Sequence, residues 1–116
     1  MPPEERDLAY LWDMREAARD ILSFIENTEF VHFSSNKMIR FAVERQLLVI
    51  GEASKGISET FKEAHQEIPW KSIVGLRNIL AHDYGEILVE RIWITATQNI
   101  PDLIKSLDSI ISPSDQ

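Results

Sequence analysis

The sequence predicts an all-α protein, an antiparallel bundle of four main helices with a short extra helix. Apolar residues recur at three- and four-residue spacing along most of the chain, which is the pattern of helices that bury one face. No segment alternates at period two for long enough to form a strand. The chain has 116 residues and shows neither an internal repeat nor a linker, so residues 1–116 are expected to form a single domain.

The first two main helices are separated by a clear break in the apolar pattern. The first helix is predicted from Glu4 to about Glu26, and residues 27–30 interrupt it. The second helix is predicted to begin near Ser35 or Asn36, because serine and asparagine are favoured N-cap residues. It runs toward Gly51, and a glycine inside a helix lets another backbone come close.

The second half of the chain is predicted to contain the extra helix and two further main helices. A break at residues 55–58 precedes a short polar helix over residues 59–66. The third main helix is predicted to open at Pro69, since proline is favoured at the first helical position. The fourth begins near Ile87, and Pro101 is expected to kink or restart it, because proline removes a backbone hydrogen bond.

Composition limits the kind of site that the chain can carry. The absence of cysteine excludes disulfides and thiolate metal sites. No histidine pair has metal-ligand spacing and no acidic cluster resembles a hard-cation site, so we expect no metal and no cofactor. The N-terminus lacks an apolar signal core and no apolar run approaches the length of a membrane span. We therefore expect a cytoplasmic protein without a membrane partner.

The formal net charge of −7 opposes any nucleic-acid function of the chain as a whole. Nucleic-acid binders usually carry a basic surface, because phosphate contacts dominate their affinity. An activity on RNA would therefore need a local positive pocket, or a partner surface that supplies one, and binding would be weak and sensitive to salt.

Residues 77–85 concentrate three reactive side chains, those of Arg77, His82 and Tyr84. A guanidinium presents a planar fork of donors that matches a phosphate, and an imidazole can give or take a proton near neutral pH. A tyrosine hydroxyl can hydrogen-bond or be modified. These groups suit metal-free phosphodiester chemistry. The alternative is structural, since basic side chains stabilise the last turn of a helix and Gly85 is a common way to end one.

The geometry of this segment leaves two arrangements open. A helix continuing through it would place Arg77 and His82 about 140° apart, because each residue turns the helix by about 100°. At that angle the two side chains could not both face one small phosphate. Either the helix ends near Ala81 and the chain turns His82 back, or two copies of the segment meet across a two-fold axis.

Two charged residues on the second helix could support this segment. Arg45 and Glu52 are seven residues apart and lie in one stripe with apolar neighbours. In one interpretation their stems simply cover the edge of the core. In the other they orient His82 or Arg77. Asn78 is interpreted as a cap or a support for the loop rather than as a reacting group.

Residues 77–84, Arg-Asn-x-x-Ala-His-x-Tyr, resemble the Arg-x4-His-x-Tyr signature of the HepT-like ribonucleases, toxins within the HEPN group of helical domains. Residues 50–53, Ile-Gly-Glu-Ala, also resemble the second-helix pattern of this family. The resemblance implies an HEPN-like bundle that forms a symmetric homodimer with the motif in a cleft between the subunits. It implies a metal-independent RNA endonuclease with Arg77 and His82 as catalytic residues and Tyr84 at the substrate.

The resemblance further implies the toxin component of a type VII toxin-antitoxin system. Its partner would be an MntA-like minimal nucleotidyltransferase antitoxin that transfers AMP to Tyr84, giving O-AMP-tyrosine, and so silences the ribonuclease. The modification makes physical sense because it adds a negative phosphate beside Arg77. Two alternatives remain: a non-catalytic nucleotide-binding or adaptor dimer that partners a nucleotidyltransferase, and a structural dimer in which the motif merely ends a helix.

Overall fold

A computed structural model describes residues 4–82 and 88–112 of the chain, and all regular secondary structure in these ranges is helical. The elements are α1 (Glu5–Phe24), α2 (Phe30–Ser35), α3 (Lys37–Gly56), α4 (Glu59–Ala64), α5 (Trp70–His82), α6 (Leu88–Ile94) and α7 (Ile100–Ile111). A π-helical turn, Thr95–Asn99, joins α6 to α7. The prediction of an all-α bundle is confirmed.

The pair α1 and α3 forms the centre of the bundle, with α5 packed on α3 and α7 packed on α1. The apolar faces predicted from periodicity are the faces that these helices bury. Fully buried side chains come from α1, α3, α6 and α7, among them Leu11, Met14, Ile21, Val43, Ile92 and Leu107. Burying side chains of this size supplies most of the free energy that holds such a bundle together. Within the described residues, no helix is both long enough and apolar enough to span a membrane.

The connection between α1 and α3 differs from the prediction. α1 ends at Phe24 rather than near Glu26, and Asn27 adopts a left-handed conformation with φ of 57° that ends the helical path. The following residues form the six-residue helix α2, where only a break was predicted. Phe33 anchors α2, because its ring is fully buried and lies 5.0 Å from the ring of Trp93.

Side-chain caps fix the start of two helices. The Asn36 side chain accepts a hydrogen bond of 3.0 Å from the amide of Ile39, which confirms it as the N-cap of α3. Ser58 caps α4 by accepting from the amide of Phe61 at 3.2 Å. The amide and hydroxyl of Ser58 also donate to the buried carboxylate of Asp7, at 2.9 and 2.7 Å. These bonds tie the start of α4 to α1.

Both predicted proline effects fall at helix boundaries. α5 begins at Trp70, one residue later than predicted, and the carbonyl of Pro69 accepts the amide of Ile73 at 3.0 Å. Pro101 was expected to kink or restart the fourth main helix, and the π turn lies directly before α7, where Pro101 is in the first turn. The turn changes the hydrogen-bond register where proline cannot donate.

Candidate active site

The candidate site begins where α3 and α5 pack against each other at Gly51. A Cβ atom built on Gly51 would overlap the Cβ of Arg77, so only glycine allows the two helices to approach this closely. The prediction that a second backbone comes close at this glycine is therefore confirmed. The approach brings the side chain of Arg77 against the face of α3 that carries the next residue, Glu52.

Arg77 is held by two neighbours. One terminal nitrogen donates to the Glu52 carboxylate at 2.7 Å, and the other donates to the side-chain oxygen of Asn78 at 3.2 Å. The Arg77 side chain is 22% exposed and that of Glu52 is 50% exposed, so the ion pair sits at the protein surface. A pair in this setting contributes at most about 1 kcal/mol to stability, but it fixes the direction of the guanidinium.

His82 lies on α5 one helical turn beyond Asn78. α5 extends through His82, one residue beyond Ala81, so His82 is itself helical and is not turned back by the chain. Arg77 and His82 therefore leave the helix about 140° apart. Asn78 and His82 are four residues apart and lie on the same face, where such residues are neighbours. Because the guanidinium of Arg77 reaches Asn78, a continuous polar strip joins Glu52, Arg77 and Asn78 and leads to the exposed ring of His82.

Of the other predicted site residues, Arg45 and Asn78 lie in the described part of the chain. Arg45 is exposed on α3 and makes no hydrogen bond or ion pair with any residue in the described part of the chain. Of the two charges considered on that helix, the structure brings only Glu52 to Arg77. Tyr84 lies outside the described residues. Asn78 was interpreted as a cap or a support for the loop, and it lies inside α5. Its four-residue spacing from His82 is the sequence feature that could have identified it as a neighbour of that residue.

The chemistry of the strip is that of an anion-binding site with a proton donor or acceptor beside it. A guanidinium has five N–H donors, of which four are on the terminal nitrogens. Two of these four are used by Glu52 and Asn78. The other terminal donors suit a phosphate oxygen. In residues 4–82 and 88–112, no three His, Asp or Glu side chains are grouped so that they could hold a metal ion.

Comparison with known proteins gives consistent matches over nearly the whole chain. The family model described as Ribonuclease HepT-like matches residues 14–110. A Methanocaldococcus jannaschii protein named as a candidate RNase is 40% identical over 107 residues, which cover 91% of this chain and 98% of that protein. A Thermococcus cleftensis protein named probable ribonuclease HepT is 42% identical over 94 residues, covering 81% of this chain and 86% of its own. No solved structure matches this chain.

Proposed function

Because the chain belongs to the HepT-like ribonuclease family, we propose that it is a metal-independent RNA endonuclease whose catalytic residues are Arg77 and His82. The observation that carries the proposal is the polar strip on α5. It combines a cation held in a fixed direction by Glu52 with an exposed imidazole one turn beyond Asn78.

The reaction follows from these two groups. The RNA 2′-oxygen attacks the neighbouring phosphorus, the bond from phosphorus to the 5′-oxygen breaks, and a proton moves from the 2′-hydroxyl to the departing oxygen. His82 takes or supplies this proton, a contribution of about 10² to 10⁴ in rate for positioned groups. Arg77 stabilises the negative charge on the phosphorane, and a preorganised donor of this kind is worth about 10² to 10³.

Glu52 and Asn78 act as positioning residues in this proposal. Their contacts hold the guanidinium beside α5 without using all of its donors. Holding it in advance removes the cost of orienting a long side chain when the phosphate arrives. The Glu52 carboxylate also repels RNA, so the fixed orientation is gained at the expense of substrate affinity. This fits the weak, salt-sensitive binding expected of a chain with a net charge of −7.

The proposal includes a symmetric homodimer in which the two copies enclose the RNA. Its support is an apolar stripe on the outer face of α3, where Met38 is 84% and Phe41 is 56% exposed. Phe41 and Glu52 are eleven residues apart, so both lie on this face of α3, with the exposed side chain of Arg45 between them. Large exposed apolar side chains in one stripe mark interaction surfaces. Sedimentation should show a dimer that Phe41→Glu dissociates, and a monomeric wild-type protein at micromolar concentration would contradict this part.

Incubation of purified protein with single-stranded RNA in the presence of EDTA tests the enzyme. Wild-type protein should cleave the RNA, and Arg77→Ala and His82→Ala should lose at least about 100-fold in rate. Arg6→Ala and His32→Ala serve as matched controls, because both residues are exposed and remote in sequence from the strip. Equal cleavage by all five proteins would point to a contaminating nuclease and overturn the proposal. No cleavage by any of them would favour the non-catalytic nucleotide-binding dimer.

The regulatory part of the proposal is a type VII toxin-antitoxin pair. An MntA-like minimal nucleotidyltransferase would transfer AMP from ATP to the Tyr84 oxygen, with pyrophosphate as the leaving group. Tyr84 is two residues beyond His82, so the added phosphate and nucleoside would lie where the RNA must bind. Mass spectrometry after co-expression with such an enzyme should show AMP on the chain. An unshifted mass, or an adduct that persists in Tyr84→Phe, would contradict the modification.

A further inference from the structure

A long groove separates α5 from the helical segment formed by α6, the π turn and α7. Its volume is about 810 Å³, and its floor is apolar. The floor includes Leu47 and Ile50 of α3, Ile73 and Leu76 of α5, and Ile94 and Leu103 of the opposite wall. The side chain of Ile94 is 48% exposed, so apolar surface reaches the mouth of the groove. Apolar surface that lies open to solvent over such an area is characteristic of interaction sites.

Two residues of the candidate active site, Asn78 and His82, lie on the side of α5 away from the groove. Ile73 and His82 are nine residues apart on α5, which places them on opposite faces of the helix. Asn78 is likewise about 160° from Leu76, which lines the groove. Arg77, by contrast, is four residues from Ile73 and lies on the same face of α5, so a ligand in the groove would lie beside Arg77 and away from Asn78 and His82.

The shape of the groove favours an elongated occupant. Its lining runs along one wall from Glu90 to Ser106, a distance of about 24 Å at 1.5 Å per helical residue. An occupant that fills this length must present a row of side chains along it. A helix lying along the groove supplies such a row from positions i, i+3, i+4 and i+7, whereas a compact small molecule would fill only part of it.

The charged residues at the rim of the groove indicate which charge a ligand should carry. Three carboxylates line it, those of Glu67, Glu90 and Asp102, against the single guanidinium of Arg91. All four residues are exposed. The excess of negative charge at the rim has the same sign as the net charge of the chain. Complementary charge raises association rates and suppresses partners of the wrong sign, so lysines or arginines should flank the apolar row of the occupant.

We propose that this groove binds a basic amphipathic helix of a partner protein, with the apolar row of the helix on the groove floor and its basic side chains at the acidic rim. The inference does not depend on the ribonuclease proposal, because none of its residues belongs to the polar strip.

Three synthetic helical peptides of about 18 residues test the proposal. The first has leucines at i, i+3, i+4 and i+7 with flanking lysines, the second replaces the lysines by glutamates, and the third keeps the lysines but replaces the leucines by serines. Amide shifts of labelled protein should change along the groove with the first peptide, and both controls should bind at least tenfold more weakly. Equal binding of the lysine and glutamate peptides, or shifts centred on the outer face of α3, would overturn the inference.

Protein variants provide a second, independent measurement. Ile94 is half exposed at the mouth of the groove, so Ile94→Arg adds a cation there without burying it. The variant should bind the basic peptide at least tenfold more weakly. The double change Glu90→Lys and Asp102→Lys should reverse the preference between lysine and glutamate peptides. Val31→Arg, at an exposed apolar position of α2 that lines neither the groove nor the proposed dimer surface, is the matched control and should leave the affinity unchanged. If Ile94→Arg instead abolishes self-association of the chain, the occupant is a second copy and the proposal is wrong.

Discussion

Replacing Gly51 by alanine tests how α3 and α5 position the site. Alanine is favoured over glycine inside a helix by about 1 kcal/mol. At Gly51, however, the added Cβ would overlap the Cβ of Arg77, which is fixed to the backbone and cannot swing away. Forcing an extra carbon into a close contact costs about 1 to 3 kcal/mol. The net effect should be a loss of stability of up to about 2 kcal/mol, since the overlap outweighs the helix propensity.

Gly75 is the matched control for this experiment. It lies inside α5, and a Cβ built there meets nothing within 4 Å. Gly75→Ala should therefore stabilise the protein by about 0.5 to 1 kcal/mol, the propensity gain alone. Urea unfolding followed by circular dichroism measures both variants, and cleavage of RNA shows whether Gly51→Ala also displaces Arg77. A Gly51→Ala protein as stable as Gly75→Ala would refute the close approach of the two helices.

Asp7→Ala leaves the amide and hydroxyl of Ser58 without their buried acceptor. The free energy of unfolding, measured in urea, should fall by about 1 to 3 kcal/mol. A fall below about 0.5 kcal/mol would contradict the contact. Burial raises the pKa of the Glu44 carboxyl, although Arg40 opposes the shift, so the folded state binds this proton more tightly than the unfolded state. The stability of Glu44→Gln relative to wild type should accordingly increase from pH 4 to pH 7, and a decrease over that range would show the opposite shift. Glu52→Ala should lower the free energy of unfolding by at most about 1 kcal/mol, because the ion pair with Arg77 lies at the surface. It should nevertheless lower kcat by about tenfold or more, and Glu52→Gln should restore part of that loss. An unchanged kcat would show that Glu52 has no role in the site.

The sequence predicted the main helices because their boundaries depend on local signals. The apolar spacing of α1 and α3, the Asn36 cap and the effect of Pro101 all act within a few residues, and each appears in the structure. α2 was missed because a helix of six residues is not stabilised by its own sequence. It depends on the packing of Phe33 against Trp93, sixty residues later in the chain, which no local pattern reveals.

The sequence predicted only part of the candidate site, because the rest depends on contacts between residues that are distant in the chain. Arg77 and His82 could be identified because their residue types and spacing are local features. The contact partner of Arg77 on α3 depends on where the two helices pack together. Because they approach closely at Gly51, the partner is the adjacent Glu52 rather than Arg45. The groove behind α5 was not predictable, since it arises from the separation of α5 and α7 after both have packed on other helices.

The central claim is that Arg77 and His82 act on the same phosphodiester, and a double-mutant cycle tests it most directly. The measurement is kcat/KM for RNA cleavage in EDTA by wild type, Arg77→Ala, His82→Ala and the double variant. Groups that serve one transition state are strongly non-additive, so the double variant should be about as slow as the slower single variant. A single variant with wild-type activity, or a double variant whose loss is the product of the two single losses, would contradict the claim.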